Sequence, residues 1–165
     1  MRRPLLALLG FAVAATVACA TPSWAESGHK DKVQGDAPAA IDITGIDANN
    51  AVRRVKVKLE VPGLTEKGSF TLSYENDRYD GMAIILRQQG GRVSWQAWHC
   101  NEESCSKVGC AGVHARWNIA GHYVSASVPQ RCYPLRVPKA WNFNGHSDLG
   151  RGYDSAYTRL RLSRG

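Results

Sequence analysis

From Arg54 to Val61 apolar and polar residues alternate without a break. Val55, Val57, Leu59 and Val61 fall on one side, and Arg54, Lys56, Lys58 and Glu60 on the other. A period of two marks a half-buried strand, so residues 51–61 are predicted to form one, closed by Pro62-Gly63. Phe70, Leu72 and Tyr74 repeat the pattern in 68–74, an expected antiparallel neighbour. Further strands are predicted at 82–86 and 93–98, joined across Gly90-Gly91, and at 113–119 and 123–128, joined across Ala120-Gly121. Pro129, Pro134 and Pro138 then punctuate the chain before two last strands at 141–143 and 157–162. No segment holds a helical period with caps. The expected fold is therefore all-β, an antiparallel sandwich of jelly-roll-like type.

The pattern weakens toward the front of the chain. Ile41, Ile43 and Ile46 open the ordered part, 41–165, ahead of a turn-rich Asp47-Ala48-Asn49-Asn50. Residues 26–40 offer almost nothing to bury and are expected to be a flexible lead-in. Residues 1–25 read as a signal peptide: Arg2 and Arg3, an apolar stretch over 5–18, and the small-x-small site Ser23-Trp24-Ala25. A membrane anchor needs about 18 or more apolar residues, and this run gives out at Thr21-Pro22-Ser23. A lipoprotein signal at Cys19 lacks the leucine-like residue that normally stands three places before the cysteine. The protein is thus expected outside the cell, without stable membrane insertion. The whole chain carries a formal charge of +7, and the loss of Arg2 and Arg3 with the leader leaves a mildly basic protein. That balance favours anionic polymers such as acidic glycans or wall teichoic acids.

Four cysteines follow the leader, and in an oxidising exterior an even set reads as two disulfides. Cys110 enters the strand at 113–119 and Cys132 follows the one at 123–128. The open end of that hairpin brings the two together and leaves Cys100 with Cys105 across a small loop. The longer closure is worth about 3 kcal/mol on a chain-entropy account. Zinc held by Cys100, Cys105, Cys110 and His114, with His99 nearby, is disfavoured by spacing and by the loss of thiolates.

The stretch Cys110-Ala111-Gly112-Val113 through Tyr123 to Cys132 resembles a pattern of small secreted actinobacterial proteins, mostly of unassigned activity. In these a cysteine, a β-hairpin and a V-x-V-P-x-x-C ending recur; here the ending reads Ala126-Ser127-Val128-Pro129-Gln130-Arg131-Cys132. The likeness extends loosely over 41–165, and that group is distantly similar to carbohydrate-binding module family 9 and DOMON sandwiches. The resemblance implies a sandwich domain. The Cys100–Cys105 loop departs from the pattern.

Candidate binding residues are few. Trp95 and Trp98 lie three apart in one strand and must point to opposite faces. Trp98 is taken as a sugar-stacking platform, with Trp117, Tyr79 and Tyr123 as helpers. Arg54, Lys56 and Lys58 form a basic stripe that Arg159 and Arg161 extend. Glu75, Asn76, Asp77 and Asp80 gather oxygen ligands in one loop, but without the alternation of a calcium loop, so an ordinary turn is expected. No nucleophile elbow, zinc-protease motif or phosphate loop is present. The expectation is a secreted, non-catalytic binding module for a glycan or anionic envelope polymer. No cofactor, metal or nucleic acid is called for. The alternatives are a protein-interaction or inhibitor domain using the Cys100–Cys105 loop, and a hydrolase with an acid pair drawn from Asp77, Asp80, Asp148 and Asp154.

Overall fold

The computed structural model describes residues 26–32, 34–150 and 152–164, with the backbone alone at 156–159. The predicted leader lies outside the described residues. The strands are β1 (Glu26–Asp31), β2 (Gly45–Asn50), β3 (Arg54–Glu60), β4 (Gly68–Glu75), β5 (Gly81–Gln89) and β6 (Arg92–Cys100). They continue as β7 (Cys105–Val108), β8 (His114–Asn118), β9 (Tyr123–Pro129), β10 (Ala140–Leu149) and β11 (Gly152–Ser163), with one 3-10 turn at Gln130–Cys132. Two sheets form, β1-β2-β3-β9-β8 and β11-β10-β4-β5-β6-β7, and every pairing is antiparallel. The fold is the expected β-sandwich.

The alternation explains how the layers meet. Val55, Val57 and Leu59 of β3 and Val124, Ala126 and Val128 of β9 turn inward from the five-stranded sheet. Phe70, Leu72, Tyr74, Met82, Ile84, Leu86, Trp141 and Phe143 meet them from the six-stranded sheet. Each fully buried Val, Leu, Ile, Phe or Met among them contributes about 1.5–3 kcal/mol of transfer free energy. Aromatic edges close one end: Trp141 lies 4.9 Å from Tyr74 and 5.0 Å from Tyr133, ring centre to ring centre. Gly90 and Gly91, with φ of 60° and 76°, make the β5–β6 reversal that a side chain would strain. Both disulfides pair as expected, Cys100 with Cys105 and Cys110 with Cys132. They fit an oxidising environment. Among the described residues no helix is long and apolar enough to cross a membrane.

Two expectations fail at the front. Residues 26–31 of the supposed lead-in form β1, paired with β2 along its full length. The supposed turn at 47–50 belongs to β2, where Ile46, Ala48 and Asn50 are buried and Asp47 and Asn49 face out. β1 has almost no apolar side chain to reveal it. The central residue on its inward side is Gly28, where a Cβ would stand 2.6 Å from Leu160 Cδ1 of β11, so the bare backbone admits that leucine. Asn50 is read as a turn residue but is wholly buried, its amide donating to Leu162 O (3.0 Å) and its Oδ1 accepting from Gln130 (3.0 Å). A buried amide with both ends bonded is stable inside a core.

Candidate functional site

The outward residues of the five-stranded sheet are polar on all five strands. Register places His29, Asp47, Lys58, Ser125 and Arg116 side by side in one row across β1, β2, β3, β9 and β8. Ser27, Asn49, Lys56, Ser127 and His114 make the next row, and Asp31, Gly45, Glu60, Tyr123 and Asn118 the third. Strand and residue spacing make this face about 19 Å by 14 Å. A groove of about 910 Å³ runs over it.

Charge along the groove is uneven. Lys58 Nζ donates to Asp47 Oδ2 (2.5 Å) and Glu60 Oε1 (2.8 Å), and those bonds raise its pKa against the effect of burial. His29 joins the cluster through Asp31 (2.9 Å) and Asp47 (2.6 Å), and these contacts lift the imidazole above its ordinary value. Burial pushes the Asp47 carboxyl up, but Lys58 and His29 together hold it below the usual range. Lys58 also lies 5.9 Å from the centre of the Tyr123 ring. Asn118 and Arg116 donate to the Tyr123 phenol and lower its pKa, Arg116 at 3.1 Å. This end is internally neutralised. Lys56 and His114, one row away, are exposed, and Lys56 has no ion pair among the described residues.

The sequence-predicted residues scatter. Lys56 lies in the groove, whereas Lys58 is tied to Asp47 and Glu60. Arg54 is spent on structure: its guanidinium donates to Ser127 Oγ (2.8 Å), Ser127 O (2.7 Å) and Gly112 O (2.8 Å), pinning the turn before β8. Arg161 belongs to the other sheet and pairs with Asp77 at 2.6 Å; the side chain of Arg159 lies outside the described residues. Trp98 is on the opposite side of the sandwich. Its neighbour Ala97 faces the core, so Trp98 points outward from the six-stranded sheet beside Ala83 and Lys107, half-buried. The more open ring is Trp95, 39% exposed. Trp117 faces inward, donating to Thr65 O (2.9 Å) and meeting Phe70 edge-on.

The acidic loop is a turn. Asn76 Oδ1 accepts from the amides of Arg78 and Asp80, Asp77 goes to Arg161, and Asp80 accepts from Tyr133 (2.9 Å) and contacts His99 (2.7 Å). Nor do the four aspartates meet. Asp77 and Asp80 have these separate partners, Asp148 sits near the β10–β11 reversal, and Asp154 bonds Lys32.

Sequence reading missed His29, Asp47, Asn49, His114 and Arg116 as members of one face. The signal for β2 was present, since Ile46-Asp47-Ala48-Asn49 alternates, but Asp and Asn read more strongly as turn formers. Comparison with family models, curated proteins and solved structures finds no match to this chain.

Proposed function

We propose that the protein is an exported, non-catalytic binding module, and that its five-stranded outer face takes up an extended glycan or anionic envelope polymer. The observation that carries this reading is the groove itself: three polar rows across five strands, with Lys56, between Asn49 and Ser127, in no ion pair among the described residues. Serine, asparagine and tyrosine groups suit hydroxyl-rich chains, and Lys56, His114 and Arg116 suit their anionic groups. The paired end around Asp47 exchanges its own contacts for a ligand's at little net cost, because half-exposed ion pairs are weak. The likeness to carbohydrate-binding sandwiches drawn from the sequence agrees with this reading.

The test is retention on polygalacturonate and on purified cell wall over a salt series. Wild-type binding should weaken with salt, and Lys56→Gln with Arg116→Gln should lower affinity about tenfold. Trp98→Ala should leave binding intact. Full binding by the double variant, or loss in Trp98→Ala alone, rejects the five-stranded face.

A second reading rests on the hairpin of β6 and β7. Its disulfide and the Asn101 Oδ1 bonds to the Glu103 and Ser104 amides pre-order an exposed loop on an edge strand. Such a loop loses little entropy on meeting a protein partner. Reversing the charge of Glu102 and Glu103 should abolish that capture, and unaltered capture discards the reading.

A further inference from the structure

The segment joining β1 to β2 brings carboxylates to one place at the edge of the sandwich. Asp36, Asp42 and Asp154 of β11 each offer a carboxylate oxygen within 4.8 Å of the others. Asp36 is exposed, but Asp42 and Asp154 are only 5% and 6% exposed. Asp154 is well served: the amides of Ile43 and Ser155 donate to it at 2.8 and 2.6 Å, and Lys32 Nζ at 2.6 Å. Lys32 also reaches Asp36 at 2.6 Å. Asp42 is different. Its Oδ2 accepts from the Gly35 amide at 2.7 Å, while its Oδ1 is buried and accepts no hydrogen bond among the described residues.

Among the described residues one ammonium, that of Lys32, serves these three carboxylates, and it bonds Asp36 and Asp154. A buried acid in that position must find a donor, a proton or a metal ion. The donors are all hard oxygens, and a spread within 4.8 Å is about twice a calcium–oxygen bond of 2.3–2.6 Å. Magnesium requires shorter bonds, near-ideal octahedral geometry and a retained water shell. We infer that Asp36, Asp42 and Asp154 bind calcium, with Lys32 as the resident cation that calcium displaces. The ion would tie the β1–β2 connection to β11, bracing the edge where β1 meets the second sheet. This inference is independent of the binding function proposed above.

Thermal unfolding and calorimetry of the chelator-treated protein with CaCl₂ or MgCl₂ test it. Extracellular calcium modules bind at about 10⁻⁴–10⁻³ M, and calcium at ten times that constant should raise Tm by about 3–6 °C. Magnesium should give less than half of the shift. Asp42→Asn should abolish the calcium response. Asp36→Asn, at an exposed position that leaves the core intact, should weaken calcium about tenfold, and Lys32→Met should strengthen it. An absent calcium response in the wild type, an equal magnesium response, an undiminished response in either aspartate variant, or weaker calcium binding in Lys32→Met would each overturn the assignment.

Discussion

His29 and His146 occupy opposite outer faces of one sandwich and titrate in opposite directions. On the five-stranded face His29 lies in solvent between Asp31 and Asp47, which raise its pKa. On the six-stranded face His146 is half-buried, with Nδ1 3.0 Å from the Tyr153 hydroxyl and the two rings stacked. Burial pushes His146 below its ordinary value, with Asp154 opposing. Glu75 on that face behaves in kind: burial raises its carboxyl, opposed by the Asn144 amide at 3.2 Å. Around His29 charges are kept and paired near water, whereas around His146 and Glu75 groups are withdrawn from water and their neutral forms favoured; on that second face the exposed Arg161–Asp77 pair is the exception. Exposed pairs can trade partners with an incoming charged polymer; a desolvated crevice cannot do so cheaply.

The largest expected effect tests whether the two faces are one unit. Leu59 of β3 lies against Gly145 of β10, where a Cβ would come within 2.4 Å of Leu59 Cδ2. Leu59→Ala should cost about 2–5 kcal/mol in urea unfolding, with both histidine signals lost in a single transition. Separate midpoints for the two signals would make the sheets independent.

Next come the two disulfides, one beside each face. Replacing Cys110 and Cys132 with serine should cost about 3 kcal/mol and loosen β8, weakening polymer binding through His114 and Arg116. Replacing Cys100 and Cys105, which close a much shorter loop, should cost about 2 kcal/mol and leave polymer binding unchanged. Equal loss of binding in both variants would break the proposed division of labour.

The smallest effect is the pH dependence. An NMR titration should place His29 above 6.5 and His146 below it, the ordinary value that both depart from. His29 binds its proton more tightly in the folded state. Its contribution is therefore full below pH 6.5 and fades as pH rises through the folded value. For His146 the unfolded state holds the proton more tightly, so stability declines as pH falls from 6.5 through the folded value. Asp47→Asn should return His29 toward 6.5 and leave His146 in place. The stability change from the exposed His29 pair should stay within about 1 kcal/mol. Coincident titrations would erase the contrast between the faces.

Legibility followed burial. β3, β4 and β9 were visible because Val55, Val57 and Leu59, and their counterparts, alternate against polar residues on a half-buried sheet, and β5 as a short apolar run over 82–86. The cysteine pairing was visible because a single hairpin relates Cys110 to Cys132. β1 was not, since it holds on through backbone pairing, a glycine and polar contacts rather than apolar alternation. The Trp95 and Trp98 pair shows the same limit: opposite faces followed from their spacing, but Trp98 is partly covered and Trp95 is the open ring. Arg54 read as a free cation until the turn at Gly112 came within its reach.

The sequence by itself determined the class of fold, the inward side of most strands and the covalent framework, because hydrophobic period, turn residues and cysteine spacing act over short stretches of chain. Only the tertiary structure decided which polar residues share a face. Strands distant in the chain, β1 and β2 on one hand and β8 and β9 on the other, must pair in register about β3 before His29, Asp47, Lys58 and Arg116 fall into one row. That register comes from long-range burial and sheet order, and no local pattern encodes it.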